Sequence, residues 1–446
     1  MLLALSGCAL FEEPPQPVIP TPIPTAPPFP GDLATGEQVT DPVSDIVPGV
    51  DPEIAGLIEL VSQQQLMAYV QTLEGFGNRN SFSDPERDNF GIGAARRFIF
   101  DEFQRVGNGR LQVEYDEFTL SYNGWTSEQA NVVATLPGTG PGNGVILVMA
   151  HYDNRPPDIM DGFTRATGAN DNASGVALLL ETARILSSRE WRQTVKFVAM
   201  AAEEQGTFGS RHFAQNAFLD NMNIIAAINY DAIGGRSGIP QLVRLFAPEL
   251  NQSPSGELAR YYDYVGGLYL PTFPVVILDA LDREGRWGDH REFVRVGMPG
   301  IRVIESEEDP DLINSNLDTW SLIDYNYHQR VVQLNVAVVA NMAGGPHPPI
   351  QPTIVPMADP GTYLLTWPVE ADAAAYAISF RPLDSSIFTP FRCVKANKAG
   401  NVVLTGYDPN VTYAVSLAAI DERGRLGNFS REILVGPLPG EEAASQ

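Results

Sequence analysis

Apolar positions along the chain follow three patterns in turn. Between about residues 50 and 345, short unbroken apolar runs alternate with stretches whose apolar residues recur at helical spacing. The runs Val145 to Ala150, Val195 to Ala201 and Ile224 to Asn229 are too short for core helices and carry no polar alternation, so they predict strands buried on both faces. Leu111 to Tyr122, Glu128 to Leu136 and Pro299 to Glu305 predict further strands. Helical spacing predicts helices over Ile54 to Leu73, which starts at Asp51-Pro52, and over Asn89 to Val106, with Ala95, Ile99, Phe103 and Val106 on one face. It also predicts helices over Val176 to Leu186, Gly209 to Phe218 and Ile323 to Met342. Strands alternating with helices predict an α/β fold: a mixed, mostly parallel sheet sandwiched by helices.

Past Gly344-Gly-Pro-His-Pro-Pro349 the period changes to two. Tyr363, Leu365 and Trp367 alternate with polar neighbours, as do Tyr376, Ile378 and Phe380, and Tyr413, Val415, Leu417 and Ala419. With turn residues between them, these segments predict a C-terminal all-β sandwich over residues 346–438. The third pattern lies at the start, where PPQPVIPTPIPTAPPFP dominates residues 9–48. So much proline cannot bury a core; it favours extended polyproline II, which predicts a semi-rigid tether. Residues 49–345 then hold the α/β domain, and residues 439–446 predict a disordered tail.

Length and charge narrow the function classes. At 446 residues the chain exceeds one ordinary core. Its formal net charge of −25 excludes nucleic acid as a partner, because phosphates need a basic surface. Two cysteines, Cys8 and Cys393, give no disulfide framework, and no apolar run reaches the roughly 20 residues of a membrane span.

The chemistry sits where the apolar runs stop. Val145 to Ala150 runs into His151-Tyr-Asp153, and a Gly-bearing loop then leads to Asn170-Asp171-Asn172. The next two runs end at Glu203-Glu204 and at Tyr230-Asp231. Sites in open α/β sheets form at the carboxyl ends of strands, so His151, Asp153, Asp171, Glu203, Glu204 and Asp231 are predicted to share one rim. A histidine and several carboxylates at the mouths of buried strands are costly without a partner, and a metal ion satisfies all of them together. Neighbouring side chains at a strand end point opposite ways, so of Glu203 and Glu204 one can ligate while the other faces substrate as a base.

His151-x-Asp153, Gly168-Ala-Asn-Asp171-Asn-Ala-Ser-Gly175, Glu203-Glu204 and Asn229-Tyr-Asp231, in that order, resemble the zinc aminopeptidases of peptidase family M28. The resemblance covers roughly Asp51 to Gly345 and implies a zinc exopeptidase fold with one or two Zn2+ ions and a peptide or protein substrate. It implies that Asp171 bridges the ions, that His151 and Asp231 hold one and Glu204 the other, that Glu203 is the general base, and that Asp153 sits behind His151 and fixes its tautomer. One position departs. The family's His-Thr-x-x-Asp-Thr loop reads Asn314-Ser-Asn-Leu-Asp318-Thr319 here, so an amide stands where the second zinc takes a histidine. The second site is then weaker, prefers a harder ion, or is empty. Asp289-His290 resembles the family's Ser-Asp-His segment and is expected to line the site. A catalytically impaired binding protein and a glutaminyl-cyclase-like activity on the same scaffold remain as alternatives to the aminopeptidase.

Leu5-Ser6-Gly7-Cys8 resembles the lipobox of bacterial lipoproteins, which makes residues 1–8 a signal remnant and Cys8 a lipid anchor. The expected location is the cell envelope, facing outside the cytoplasm, with the membrane reached only through that lipid. Leu404 to Tyr413 resembles a fibronectin type III domain, with Trp367 as core tryptophan and Tyr413 as corner tyrosine. For the sandwich, three roles stay open: spacing the enzyme, binding an envelope polymer, or shielding the rim.

Overall fold

An eight-stranded twisted sheet is the centre of the computed structural model, which describes residues 44–140, 144–398 and 402–437. Cys8, the tether up to residue 43 and the tail 439–446 lie outside the described residues. In chain order the domain runs α1 (Pro52–Ile58), α2 (Gln63–Gly75), α3 (Gly91–Gly107), β1 (Gln112–Tyr122), β2 (Trp125–Leu136), β3 (Val145–His151), α4 (Ser174–Leu186) and β4 (Thr194–Met200). It continues through α5 (Phe208–Leu219), β5 (Ile224–Tyr230), β6 (Val243–Ala247), α6 (Pro254–Tyr269), β7 (Val275–Asp279), α7 (His290–Arg295), β8 (Gly300–Glu305) and α8 (Tyr325–Gly344). The strand order is β1-β2-β4-β3-β5-β8-β6-β7.

The order reverses at β3. The crossover through α4 lays β4 parallel to β3 on one side, and the crossover through α5 carries β5 to the other side, again parallel. This is the switch point where open α/β sheets leave a crevice, and His151 ends the strand that occupies it. Every residue of β3 is buried, because successive side chains serve two cores. Ile146, Val148 and Ala150 face the layer containing α1 to α4, α6 and α8. Val145, Leu147 and Met149 face the layer with Phe213 of α5 and Phe293 of α7. The unbroken apolar run is thus period two with both faces covered.

Two local expectations change. The helix expected over Ile54 to Leu73 is α1 and α2, separated by a break after Ile58; Ser62 caps the second helix by accepting from Gln65 N. Asp51 caps the first. Residues 243–295, unassigned from the sequence, hold β6, α6, β7 and α7. β6 is five residues long and β7 is a half-exposed edge strand, so neither shows a usable period.

The C-terminal domain comprises β9 (Thr353–Pro356), β10 (Tyr363–Thr366), β11 (Ala375–Pro382), β12 (Arg392–Lys395), β13 (Val402–Leu404), β14 (Tyr413–Ile420), β15 (Leu426–Phe429) and β16 (Ile433–Val435). One sheet has the order β13-β10-β9; the other has β12-β11-β14-β15, with β16 also on β14. Leu365, Trp367, Tyr376, Ile378, Val415 and Leu417 fill the space between the sheets. Tyr413 Oη accepts from Asp408 N at 3.2 Å. The opposite face of β11 and β14 presents Ala375, Ala377, Ala418 and Ile420, which join the core of the α/β domain. Small side chains let that sheet approach α6 and α8 closely.

Polar contacts fasten the two domains. Glu432 accepts from Arg260 of α6 at 3.0 Å and from Arg381 of β11 at 2.8 Å, with both arginines fully buried. Tyr261 Oη and Asn341 Nδ2 both donate to the Leu426 carbonyl. Ile225 and Pro299, at the amino ends of β5 and β8, line one crevice with Asn428 and Phe429. The sandwich therefore sits at the end of the sheet opposite the rim that carries His151, and it does not shield that rim. The chain enters along the sandwich, where Ser44 N donates to the Cys393 carbonyl and Gly49 N to that of Gly424.

Glu432→Ala takes away the carboxylate that two buried guanidinium groups share. It should destabilise the protein by about 3–5 kcal/mol, measured as a lowered midpoint in urea denaturation.

Candidate metal centre

Three of the predicted ligands converge. His151 ends β3, Asp171 lies in the loop that enters α4, and Asp231 follows β5 directly. His151 Nε2 is 3.2 Å from Asp171 Oδ1 and 3.5 Å from Asp231 Oδ1, and all three ligand atoms lie within 4.8 Å of one another. His151 Nδ1 faces the other way, 3.1 Å from the Asp153 carbonyl. A proton on Nδ1 donated to that carbonyl leaves Nε2 bare toward the carboxylates, the tautomer a metal ligand needs. Burial works against a charged imidazole, yet Glu203, Asp153, Asp171 and Asp231 outweigh it and hold the His151 pKa well above the usual value. The cluster demands positive charge at this point. One imidazole nitrogen with two carboxylate oxygens is a donor set that suits zinc.

Hydrogen bonds fix each ligand. Asp318 accepts from Asn170 N at 2.8 Å and from Asp171 N at 2.9 Å. Asn170 donates to Glu305 and accepts from Gly234 N, while Asn172 donates to the Tyr230 carbonyl. Together these pin the Asp171 loop to the end of β5. Gly168 opens that loop at φ 53°, where a Cβ would meet Asn154 Nδ2 at 2.5 Å. Arg302 of β8 forms an ion pair with Asp231 Oδ2 at 2.9 Å and donates to Asp282 at 2.7 Å, which leaves Asp231 Oδ1 for the centre. Burial opposes the Asp231 anion, but Arg302 and His151 win and lower its pKa. Arg79, fully buried, donates to the carbonyls of Leu73, Tyr152, Thr167 and Gly168.

The remaining predicted residues are placed as follows. The Asp153 carboxylate accepts from Glu203 N and Glu204 N, each at 3.1 Å. It lies 3.6 Å from His151 Nδ1, so the contact that sets the tautomer comes from the main chain of Asp153, and its side chain shapes the turn after β4. Glu203 stands half-buried on that turn; burial first, then Asp231, Asp289 and Glu204, raises its pKa well above normal against the pull of His151. Glu204 lies outside the three-residue group. Its Oε2 accepts from Arg155 Nε at 2.9 Å. Asn314 does reach the rim beside it, with an amide whose neighbours orient its nitrogen 3.0 Å from Glu204 Oε1.

Of the Asp289-His290 pair, His290 Nε2 bonds the Leu281 carbonyl at 2.6 Å, and burial lowers its pKa to about 4, so it is a neutral structural group. Asp289 is buried and faces the acidic cluster; burial leads in raising its pKa to about 7. His328 Nε2 bonds the Ser174 carbonyl within the packing of α8 on α4. A shallow open cleft adjoins Asp171, lined by Gly235, Arg236, Glu305, Leu312, Ile313 and Ile323 among others.

Sequence reasoning missed Arg302, Arg79 and the anchoring role of Asp318. Arg302 left a signal, a lone charge inside the run Gly300-Ile-Arg-Val-Ile-Glu305. Arg79 left none, since its partners are all carbonyls from distant loops.

A switch-point rim holding a histidine and two aspartates on a helix-covered mixed sheet defines a protein built to hold a metal ion. The model of peptidase family M28 matches residues 131–339. A probable zinc metalloprotease of Leptosphaeria maculans is 30% identical over 433 residues, covering 88% of this chain and 98% of that one. Another, from Pyricularia oryzae, is 32% identical over 398 residues, covering 78% and 79%. The chain belongs to peptidase family M28, and its cofactor is zinc. Among solved structures, the LapA aminopeptidase of Legionella pneumophila superposes with a TM-score of 0.54 at 18% identity, covering 70% of this chain and 78% of that one. A glutaminyl cyclase of Porphyromonas gingivalis does so with a TM-score of 0.51 at 21% identity, covering 63% and 98%. At such identities what is shared is the fold.

Asp318→Ala removes the acceptor that holds the main chain at Asn170 and Asp171. Zinc affinity should fall by about 10- to 100-fold, read by competition with a chromogenic chelator, with the far-UV circular dichroism unchanged.

Proposed function

We propose that the chain is a metallo-aminopeptidase that removes residues from the amino end of peptides. The observation that carries this reading is the convergence of His151, Asp171 and Asp231, with Glu203 at the end of the adjoining strand. His151, Asp171 and Asp231 hold the zinc. Zinc supplies Lewis-acid polarisation of the scissile carbonyl and acidifies water.

Glu203 acts as the base. It takes the proton of the attacking water and returns it to the leaving amine, which needs a carboxylate that is near the cation and not bound to it. Burial and neighbouring carboxylates push its pKa up; a cation at the three ligands counters this, so the group can both accept and release a proton. Arg302 keeps Asp231 ionised as a ligand.

A glutaminyl cyclase is the second reading, because a solved glutaminyl cyclase shares the fold. Aminoacyl anilides and a peptide with N-terminal glutamine separate the two: release of the anilide without cyclisation supports the peptidase, and cyclisation alone supports the cyclase. Glu203→Gln should lower kcat on the anilide by about 10²- to 10⁴-fold with zinc content unchanged. Equal turnover by the variant removes Glu203 from the chemistry.

The cell envelope is the proposed location, with Cys8 lipidated and the C-terminal domain a fibronectin type III-like module whose core and corner residues are Trp367 and Tyr413. Cys8→Ser should shift the protein from the membrane fraction to the soluble fraction on cell fractionation; retention in the membrane would argue against the lipid anchor.

A further inference from the structure

We infer that the metal centre is mononuclear, with one zinc on His151, Asp171 and Asp231, and that the guanidinium of Arg155 takes the place of a second cation beside Glu204. The inference rests on the zinc reading of those three residues and adds what the other half of the rim does.

A second ion would need a free carboxylate oxygen on Glu204, an oxygen of Asp171 and one more donor. Both oxygens of Glu204 are already engaged by donors. Oε2 accepts from Arg155 Nε at 2.9 Å, and Oε1 accepts from the Asn314 amide nitrogen at 3.0 Å. The Asn314 amide oxygen in turn accepts from Arg155 Nη2 at 3.0 Å. The three side chains close a ring in which each donor meets an acceptor. Arg155 Nη1 also lies 3.3 Å from the carbonyls of Pro156 and Pro157, which tie the guanidinium to its own loop. The Glu204 side chain is 9% exposed and that of Arg155 23% exposed, so the pair is shielded from solvent more than a surface ion pair is.

Charge and geometry agree. A guanidinium stays protonated at any working pH and is planar, with donors spaced to meet a carboxylate. A zinc ion at Glu204 would have to expel that group, break three hydrogen bonds and leave two cations side by side. Asn314 fits the arrangement because one amide head both donates to a carboxylate and accepts from an arginine. Asn314 and Arg155 therefore act together: the amide that stands where the family has an imidazole bonds an arginine on the loop after β3.

The test is the metal content of the full chain, purified with excess zinc and freed of loose ions, read by native mass spectrometry and by elemental analysis. One zinc per chain is expected. Cobalt titration of the metal-free protein should give visible absorption that saturates at one equivalent. Glu204→Gln should keep that one ion and His151→Ala should lose it, while the double variant Arg155→Ala with Asn314→His should gain a second. Two ions in the unmodified chain, or loss of the ion in Glu204→Gln, would overturn the inference. One ion per chain with no anilide hydrolysis would sink the peptidase reading and leave the mononuclear centre standing; no ion at all would overturn the three-residue site beneath both.

Discussion

The structure depends on holding many negative charges at one rim. His151 stands among Asp153, Asp171, Glu203 and Asp231, with Glu204, Asp289 and Asp318 close behind. Carboxylates brought together under low exposure repel and are poorly hydrated. Four of them have a compensating partner. Asp318 and Asp153 receive main-chain N–H groups. Asp231 receives Arg302, and Glu204 receives Arg155. Among what remains uncompensated is the space between His151 Nε2, Asp171 Oδ1 and Asp231 Oδ1, and that is where zinc belongs.

The sheet topology makes this possible. Because β4 and β5 flank β3 through separate crossovers, three strand ends point into the same crevice while their bodies stay buried in two apolar layers. The strands fix their end residues to within the rigidity of a core, and the loops that return to the rim are stitched to it by Asp318, Asn170 and Asn172 rather than by packing. Rigid strand ends with hydrogen-bonded loops are the arrangement that positions ligands well.

Much of this was legible in the chain. Val145 to Ala150 announces a doubly covered strand by its lack of alternation, and the abrupt change at His151 announces the rim. Local strand and helix signals suffice there because burial on both faces is a strong constraint on residue type. The helix break before Ser62 was hidden because the apolar phase of Ile54, Leu57 and Ile58 continues into Leu66, Tyr69 and Val70. β7 was hidden because an edge strand needs no strict pattern. At the site, the acidic residues and His151 stood out, but the arginines around them did so less: Arg302 showed only as a lone charge in a strand run, while Arg79 and Arg155 sit in ordinary sequence surroundings, and their importance arises from contacts across the fold. Asn314 was visible as a departure, and its partner Arg155 could be found only in three dimensions.

The seating of the C-terminal sandwich has a directional consequence. Residues 44–49 run along that module, at the pole of the molecule away from His151. Load carried into the fold at those residues would meet the strands beside Cys393 first and the zinc-bearing crevice last, because the two lie at opposite ends of the sheet.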